Sequence, residues 1–375
     1  MRIGILTHPI GTNYGGILQN YALQVILKEL GHQPVTYYYS VEEPTKIKIL
    51  SFAKRLLLRL MGKHIPLRGW PNRREFSIIT EHTFRFIQAH INTTSKINLN
   101  NTNYVKEVPV EAVIVGSDQV WRGKRTDVKK FFLCDYQGLC IRKIAYAASF
   151  GVDYWEYSHD DTKKCSELIK QFYSVSVREQ SGVLLCERYL GKRAQFVLDP
   201  TMLLSSTYYD KLIPQIIKDN NTSKSYIMTY ILDFTAEKGR IIDYVCKKNG
   251  KESRTVMADK YYGEEGMNSI TQCVFPPVEK WLQGFRDADF VVTDSFHGMV
   301  FSIIFRKKFI AVANEKRGSS RFTSLLNLLG LDNRLVGSIS DVEKIIALPI
   351  DYKKVEKILE EKKEESIQFL KNSLS

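Results

Sequence analysis

The sequence is poor in cysteine for its length, and its six cysteines are scattered. They stand at positions 134, 140, 165, 186, 246 and 273, and no two of them form a CxxC pair. Disulfide-rich secreted domains and structural zinc sites need closely spaced cysteines. The spacing therefore argues against a disulfide framework and a zinc site, and it fits a reducing cytoplasm. No other metal-binding cluster is evident, so we expect a metal-independent protein.

Long apolar runs are also missing. No stretch of 18 or more uncharged apolar residues occurs in the 375 residues, so we expect no transmembrane helix. The amino terminus passes straight into an apolar strand-like run, Arg2 to Thr7, without the layout of a secretory signal. We therefore expect a cytoplasmic protein, and its positive charge would favour the inner face of the plasma membrane.

Two nucleotide-binding fingerprints are absent. The glycine turn Asn13-Tyr14-Gly15-Gly16 is not a GxGxxG sequence, so NAD or FAD is not supported. No GxxxxGK[ST] sequence occurs either, which argues against a P-loop nucleotide enzyme. We therefore expect no cofactor.

Acidic residues are absent from one long segment, although the chain as a whole carries a net charge of +13. From Thr45 to Arg74 there are nine basic residues and no acidic one: Lys46, Lys48, Lys54, Arg55, Arg59, Lys63, Arg68, Arg73 and Arg74. Residues 47–61 have helical spacing. One face of this helix would carry Leu50, Ala53, Leu57, Leu60 and Met61, and another would carry Arg55 and Arg59.

A basic amphipathic helix of this kind suits the surface of an anionic membrane. The alternative is a helix that packs its apolar side on the domain and leaves its charges solvated. Nucleic-acid binding is less well supported, because no helix-turn-helix, zinc-finger or RNA-recognition signature accompanies the charge. We therefore expect no nucleic-acid partner, and peripheral membrane contact through 46–74 is a hypothesis.

The rest of the chain alternates between strand-like and helix-like segments. In the first half, strands are predicted at 2–7, 34–39, 111–116, 142–149, 173–178 and 194–198, and helices at 16–30, 46–61, 73–90, 160–172 and 179–190. In the second half, strands are predicted at 225–232, 252–258, 288–293 and 308–313, and helices at 236–249, 277–286, 297–306 and 320–329. Such alternation implies parallel sheets covered by helices on both faces.

A chain of this length is long enough for two domains with separate cores. We place one Rossmann-like domain at 1–200 and a second at 201–350, with a linker at 199–209 where Pro200 ends a strand. A charged helix within 351–375 follows, and in this architecture it would reach back to the first domain. The predicted fold class is α/β, with two Rossmann-like domains facing a cleft.

The pentapeptide Asp294-Ser295-Phe296-His297-Gly298 is the most informative local feature. It follows an apolar strand-like run and opens an apolar helical segment. Open α/β sheets bind ligands in such strand-to-helix loops, and free N–H groups at a helix start favour an anion. His297 therefore sits where a proton-transfer group could meet a negatively charged substrate. The alternative is that Asp294 or Ser295 merely caps the helix and His297 is an ordinary surface residue.

Three further segments follow predicted strands of the first domain. The first is the glycine turn that runs from Asn13 through Gln19 into a helix. The second is Gly116-Ser117-Asp118-Gln119-Val120-Trp121, after the apolar run Val113-Ile114-Val115. The third is Arg178-Glu179, with Leu198-Asp199-Pro200-Thr201 downstream. Because all of them follow strands, we expect these segments and the pentapeptide to face the cleft between the domains.

Taken together, these motifs resemble the polysaccharide pyruvyl transferase family, from the first strand to about Leu329. The resemblance implies a GT-B type of architecture. It also implies transfer of a pyruvyl group from phosphoenolpyruvate to two hydroxyls of a sugar, forming a cyclic ketal. The acceptor would belong to a bacterial surface polysaccharide or its lipid-linked precursor. The resemblance matches His297 to the proposed proton donor and Arg178 to a donor-binding arginine.

The residue chemistry is compatible with that reaction. Phosphoenolpyruvate is a small, highly charged anion, for which an arginine and a helix amino terminus are suitable partners. A histidine near neutrality can deliver or accept a proton. For Arg178 a structural pair with Glu179 or another acid is the alternative, and for the glycines an ordinary tight turn.

The candidate catalytic residues are thus His297 and Arg178. The candidate substrate-binding residues are Asn13, Tyr14, Gly15, Gly16, Gln19, Gly116, Ser117, Asp118, Gln119, Glu179, Asp294, Ser295, Gly298, Arg317 and Arg321. The last two are included because the family motif often reads Arg-Leu-His-Gly, whereas this chain has Ser295-Phe296 before the histidine. An anion contact would have to come from another residue, and the alternative for both arginines is a solvated or structural charge.

Two other functions stay open at this point. A nucleotide-sugar glycosyltransferase on the same architecture could use His297 as a base and Arg178 on the diphosphate. A non-catalytic sugar- or membrane-binding homologue could have kept the fold.

Overall fold

The computed structural model describes residues 1–40, 45–98, 108–123, 131–132, 141–214, 225–314 and 317–375. Within these residues the chain forms two α/β domains, each built on one parallel sheet. The predicted fold class, two Rossmann-like domains facing a cleft, is confirmed. Cys134 and Cys140 lie outside the described residues, and the other four cysteines are free thiols.

The sheet of the first domain has six parallel strands. They are β1 (Arg2–Leu6), β2 (Gln33–Thr36), β3 (Ala112–Asp118), β4 (Arg142–Ala148), β5 (Ser174–Val177) and β6 (Gln195–Phe196). Their order across the sheet is β2-β1-β3-β4-β5-β6. The central strand β3 is buried along its whole length, as a strand covered by helices on both faces must be.

The sheet of the second domain has five parallel strands. They are β7 (Ile227–Tyr230), β8 (Ser253–Thr255), β9 (Phe290–Thr293), β10 (Lys308–Val312) and β11 (Leu335–Val336). Their order is β11-β10-β9-β7-β8. The strands β7 and β9 lie inside the sheet and are entirely buried.

Helices connect the strands. In chain order they are α1 (Tyr14–Glu29), α2 (Thr45–Leu60), α3 (Arg73–Ile79), α4 (Glu81–His90), α5 (His159–Ile169), α6 (Gln180–Leu185), α7 (Ser206–Asp210), α8 (Ala236–Asn249), α9 (Val278–Asp287), α10 (Phe296–Ile304), α11 (Ser320–Leu329), α12 (Ile339–Ile345) and α13 (Tyr352–Leu374). Among the described helices, none combines the length and the apolar character needed to cross a bilayer.

Several predicted elements differ from the observed ones. The predicted helix 73–90 is divided at Thr80, whose hydroxyl donates to the Phe76 carbonyl and whose backbone leaves helical geometry. The predicted helix 179–190 changes into a π-helix at Cys186–Leu190. The predicted strands 194–198 and 252–258 shrink to β6 and β8, because edge strands find a partner on one side only. The short elements β11 and α12 were not predicted, since a few residues carry no readable period.

In each sheet the chain reverses its direction of winding once. In the first sheet β2 and β3 flank β1, and in the second β8 and β9 flank β7. A crevice opens at such a point, outside the carboxyl ends of the strands, and open α/β sheets bind ligands there. The loops that follow these strands in the two domains border a common cleft. The topology thus brings both crevices together.

The final helix, α13, crosses back to the first domain. Ser366 Oγ on this helix accepts a hydrogen bond from the Leu198 backbone N–H at 3.0 Å. Near its end, the hydroxyls of Ser174 and Ser373 are 2.6 Å apart. The helix therefore ties the end of the chain to the sheet on which the chain began.

The two domains also meet beside the cleft. The Arg317 carbonyl oxygen accepts hydrogen bonds from Gln119 Nε2 at 3.0 Å and from Arg122 Nη1 at 2.9 Å. Next to it, Gly318 has a φ of 79°, and a Cβ built there would lie 1.9 Å from the carbonyl oxygen of Gly151. Glycine is needed at position 318 for both the backbone conformation and the close approach.

We predict that Gly318→Ala destabilises the protein more than a matched glycine substitution without a domain contact. Gly250 also has a positive φ, 63°, but no atom lies within 4 Å of a Cβ built there. Gly250→Ala should therefore cost only the conformational strain, about 1–2 kcal/mol. Gly318→Ala adds a collision between domains, worth about 1–3 kcal/mol more. Urea unfolding midpoints of the two variants measure the difference, and equal shifts would show that the contact does not hold the domains together.

Candidate active site

A cleft of about 530 Å³ lies between the two domains. The first domain lines it with Thr12, Asn13, Tyr14, Asp118 and Gln119. The second domain lines it with Tyr230, Leu232, Asp233, Met257, Tyr261, Glu264, Phe275, Asp294, Ser295, Phe296, His297, Arg317 and Arg321. Of the four segments expected to face the cleft, three contribute residues to its lining: the glycine turn, the segment after β3 and the pentapeptide. Neither residue of Arg178-Glu179 is part of the lining.

Asp118 stands where β3 reaches the cleft. Its φ of 125° is a conformation that residues with a side chain rarely adopt, and such strain is often found at functional sites. Its Oδ1 accepts from the Gln119 N–H at 2.7 Å, and its Oδ2 lies 3.5 Å from Asn13 Nδ2. Burial would raise the pKa of Asp118, but the nearby charges of His8 and Arg178 help to hold it below the usual range. Asp118 is thus kept as an anion at the edge of the cleft.

His297 lies in the first turn of α10. Ser295 caps this helix, since its Oγ accepts from the Gly298 N–H at 3.3 Å. His297 is not an ordinary surface residue, because its side chain is only 8% exposed and its Nε2 lies 3.5 Å from Asp199 Oδ2. A Cβ built on Gly15 would lie 2.1 Å from Nδ1 of His297. Gly15 therefore lets α1 of the first domain pack directly against the imidazole of the second.

Asp199 is the centre of a buried polar cluster beneath His297. Its Oδ2 accepts from Ser117 Oγ at 2.7 Å and from Arg178 Nη1 at 2.7 Å. Its Oδ1 accepts from the N–H and the hydroxyl of Thr201 at 3.1 and 2.7 Å. Burial would raise the pKa of Asp199, but His297, Arg178 and Ser117 together hold it well below the usual range. Asp199 is therefore ionised and places a negative charge beside the imidazole.

Arg178 does not border the cleft in this structure. Its side chain is fully buried, 2.7 Å from Asp199 and 3.4 Å from Asp118. Its guanidinium carbon also lies 4.8 Å from the centre of the Phe296 ring. The arrangement corresponds to the structural ion pair that the sequence left as an alternative, with Asp199 and not Glu179 as the main partner. In this structure Arg178 holds the carboxylate beneath His297, and its contact with a donor stays a prediction.

Glu179 is buried as well, behind the cleft. Its Oε1 accepts from the hydroxyl of Ser149 and from the N–H groups of Phe150 and Gly151, at 2.6–3.0 Å. Burial raises the pKa of Glu179 in spite of these donors. Because Gly151 is the residue on which Gly318 packs, Glu179 shapes the loop that receives the second domain. Glu179 is not among the residues that line the cleft, and the prediction that it binds substrate stays untested.

Asp294 borders the cleft, but its carboxylate is fully buried and already occupied. It accepts from the N–H groups of Leu232 and Asp233 at 2.6 and 3.1 Å. It also accepts from Lys238 Nζ at 2.6 Å and from Asn314 Nδ2 at 2.9 Å. The carboxylate therefore joins the loops after β7, β9 and β10, and the contact of Asp294 with substrate stays a prediction.

Both candidate arginines of the second domain border the cleft, but their charges differ in how they are balanced. The Arg317 guanidinium pairs with Asp233. Arg321 has no carboxylate at ion-pair distance among the described residues; its Nη2 donates to the Arg317 carbonyl at 3.1 Å. Burial and the charge of Arg178 lower the pKa of Arg321 to about 9, so that it is still protonated at neutral pH. The carboxylates of Glu179 and Asp118 act on its pKa in the opposite direction from beyond ion-pair distance. Arg321 is thus a buried cation whose charge is only partly balanced in the described part of the chain.

The remaining predicted residues lie behind the cleft lining. Gly16, Gln19, Gly116, Ser117 and Gly298 are all buried, in α1, β3 or α10. None of the five is among the residues that line the cleft, and their contact with a substrate stays a prediction. The sequence pattern located them near strand ends and helix starts, but it could not show which way each one faces.

The sequence also missed residues that belong to the site. Asp199 was part of a recognised segment, and the only local signal for its importance is the Pro200 that ends the strand at this point. Asp233 and Tyr261 line the cleft from loops after β7 and β8. The only sequence signal for Asp233 and Tyr261 was their position after strands of the second sheet, because no motif marks them.

The comparison with protein families is clear. A family sequence model described as "Polysaccharide pyruvyl transferase" matches residues 13–316, which is most of the chain. A comparison with curated protein sequences gave no match.

Solved structures show the same architecture at low sequence identity. A UDP-GlcNAc 2-epimerase of Neisseria meningitidis, bound to UDP-GlcNAc, has a TM-score of 0.52 at 11% identity and covers 100% of this chain and 99% of its own. A putative UDP-N-acetylglucosamine 2-epimerase of Listeria monocytogenes has a TM-score of 0.53 at 9% identity, covering 100% and 91%. UGT89C1 of Arabidopsis thaliana, complexed with UDP, has 0.52 at 12%, covering 99% and 98%. At these identities the likeness shows the two-domain GT-B fold alone.

We predict that Asp199→Asn strongly destabilises the protein. The change removes the anion that neutralises the buried Arg178, and breaking a buried ion pair in this way costs about 3–5 kcal/mol. Asp289→Asn is the matched control, since Asp289 pairs with Lys251 at the surface, where the expected cost is about 0–1 kcal/mol. Chemical unfolding of both variants measures the difference.

The difference in stability between the wild type and Asp199→Asn should depend on pH. Folding lowers the pKa of Asp199, so its stabilisation is present above the unfolded value of about 3.9 and is lost as the pH falls toward the folded value. The midpoints of the wild type and Asp199→Asn should therefore begin to converge below about pH 3.9. A constant difference down to strongly acidic pH would contradict an ionised Asp199.

Proposed function

This chain belongs to the polysaccharide pyruvyl transferase family, and we propose that it transfers the pyruvyl group of phosphoenolpyruvate to two hydroxyls of a sugar as a cyclic ketal. The observation that supports this most is the combination of Arg321 and His297 in one cleft. The first is a buried cation with no carboxylate at ion-pair distance among the described residues, and the second is a proton-transfer group beside a carboxylate. An enol phosphate donor needs both.

Arg321 is the proposed contact for the donor anion. A buried cation without a partner is costly, and an anionic ligand relieves that cost. A planar guanidinium can bind a carboxylate or phosphate through two parallel hydrogen bonds. Arg321 thus takes the place of the arginine that other family members carry two positions before the histidine. Arg317 is less suited, because Asp233 already neutralises it.

His297 is the proposed proton-transfer group, and Asp199 positions it. A carboxylate beside an imidazole fixes the orientation of the ring and stabilises its protonated form. The protonated His297 would donate to the methylene carbon of phosphoenolpyruvate, which makes C2 electrophilic. Asp199 itself does not line the cleft and acts through the histidine.

The overall reaction balances without a cofactor. The methylene carbon gains one proton, and a first sugar hydroxyl adds to C2 and loses its proton. The C2–O bond to phosphate then breaks, and a second hydroxyl adds to C2 and loses its proton. Two hydroxyl protons are released: one replaces the proton taken up by the methylene group, and the other leaves with the phosphate as HPO₄²⁻.

The acceptor would contact the part of the cleft lined by Tyr261, Asp233 and Glu264. Tyr261 offers a ring surface, and Asp233 and Glu264 offer carboxylates that accept hydrogen bonds from hydroxyls. This composition suits a sugar, and we propose a unit of a bacterial surface polysaccharide or of its lipid-linked precursor.

The direct test is incubation of the purified protein with phosphoenolpyruvate and galactose- or mannosamine-type acceptors. A pyruvyl transferase releases inorganic phosphate and adds a ketal to the acceptor, which mass spectrometry detects. Transfer of a sugar from a nucleotide donor would establish the glycosyltransferase alternative. Anion binding without turnover on any acceptor would favour the non-catalytic alternative.

We predict that His297→Gln lowers turnover by roughly 10²–10⁴-fold, which is what a positioned acid or base contributes. His159→Gln is the control, because His159 is exposed at the start of α5 and should leave the rate unchanged. The measurement is phosphate release at saturating donor. A folded His297→Gln protein with near-normal turnover would remove His297 from the mechanism.

We predict that Arg321→Gln weakens binding of phosphoenolpyruvate by roughly 10- to 150-fold, since a hydrogen bond to a charged group contributes about 1.5–3 kcal/mol. The unliganded protein should be as stable as the wild type or more stable, because an uncompensated buried charge is removed. Calorimetric titration and thermal unfolding measure the two effects. Arg240→Gln, at an exposed position, is the control for both.

The combination distinguishes a ligand-binding arginine from a structural one. Loss of donor affinity with retained stability supports the proposal. Loss of stability with unchanged donor affinity would show that Arg321 is a structural residue.

A further inference from the structure

The helix α2 leaves its apolar residues in solvent. No residue of α2 is buried, whereas the other long helices of both domains bury several. Leu60, Leu50 and Leu57 are 78%, 70% and 60% exposed. The sequence left open a helix that packs its apolar side on the domain, and the structure shows that it does not. An exposed apolar surface of this kind marks an interaction site.

The side of α2 that faces the protein carries two polar residues and one leucine. Only Ser51, Arg55 and Leu58 are partly covered, and their spacing of four and three residues puts them on one face. Arg55 donates to the carbonyl oxygens of Pro66 and Gly263 at 3.1 and 3.2 Å. The sequence grouped Arg55 with Arg59, but the structure turns Arg55 inward as an anchor.

The opposite side of α2 is an apolar stripe bordered by cations. At 3.6 residues per turn, the stripe that points away from the protein consists of Ile49, Leu50, Ala53, Leu56, Leu57 and Leu60. Lys54 lies along one border of the stripe, and Lys48 and Arg59 lie along the other. All three cations are exposed. No acidic residue occurs between Thr45 and Arg74 to oppose them.

We propose that α2 docks the protein on the surface of an anionic lipid bilayer. An apolar stripe with cations on both borders matches the boundary between acyl chains and negatively charged headgroups. A protein partner would need a groove for the leucines and acidic residues on both sides, whereas an anionic bilayer supplies both features at any point. Apolar insertion and charge attraction each contribute only weakly to membrane affinity, so the binding is peripheral and reversible.

Docking would place the mouth of the cleft next to the lipid. The segment after α2 contacts the loop 261–266 of the second domain, through the pair Lys63–Glu265 at 2.7 Å and the hydrogen bond from Gly266 to His64 at 3.0 Å. Tyr261 and Glu264 of the same loop line the cleft. The inference does not depend on the proposed reaction, since it rests on the surface of α2 alone.

The test is flotation of the purified full chain with liposomes, without any substrate. Binding should require vesicles with phosphatidylglycerol, should be absent with phosphatidylcholine alone, and should weaken as salt is raised. The variant Lys54→Glu with Arg59→Glu should lower bound protein by about tenfold or more. The control Lys163→Glu with Lys164→Glu makes the same charge change at exposed positions of α5 and should bind nearly as well as the wild type.

A second pair of variants tests the apolar stripe. Leu57→Ser with Leu60→Ser should lower binding to anionic vesicles. Leu184→Ser with Leu348→Ser, which removes two exposed leucines elsewhere, should not. Equal recovery with neutral and anionic vesicles, or no binding at low salt, would overturn the proposal. Light scattering tests the alternative of a protein interface. A wild-type dimer that becomes monomeric only when Leu57 and Leu60 are changed would overturn the proposal in favour of such an interface.

Discussion

The buried pair of Asp199 and Arg178 is the interaction on which the rest of the site depends. Both side chains are fully removed from solvent, where an unpaired charge of either sign would be very costly. The pair lies under the point where the two domains meet, and Asp199 also faces His297 at 3.5 Å. The first domain thus provides the charge that orients the catalytic candidate of the second. A change in the separation of the domains would disconnect the histidine from its carboxylate.

In the second domain, Asp294 is likewise a buried carboxylate around which the site is organised. Its carboxylate gathers the loops after three strands around one buried charge, so that the start of α10 and the segment carrying Arg317 are held in a fixed relation. The Arg317 carbonyl then receives Gln119 and Arg122 of the first domain. Each side of the cleft is therefore organised by a buried carboxylate, and the residues left free for a ligand are those that these carboxylates do not engage. Arg321 is the clearest of them.

The sequence predicted the fold class, nearly every strand and the location of His297, because these depend on local patterns: apolar runs, strand-to-helix loops and a recognisable order of motifs. The sequence did not predict which charged residues border the cleft. Both pairs of residues lie at the end of an element: Arg178 and Glu179 follow β5, and Arg317 and Arg321 lie before and at the start of α11. Only Arg317 and Arg321 border the cleft. That difference is decided by long-range partners, such as Asp199 and the loop at Gly151, which are distant in sequence. The exposure of α2 could not be predicted either, since an amphipathic pattern does not show which face the rest of the protein covers.

We propose above that the cleft transfers a pyruvyl group from phosphoenolpyruvate to a sugar, and mass spectrometry of the surface glycan from cells with and without this protein tests this in the cell. Loss of the protein should remove pyruvyl ketals from one type of sugar while the sugar chain itself stays complete. An unchanged ketal content, or the loss of a whole sugar unit from the glycan, would contradict it.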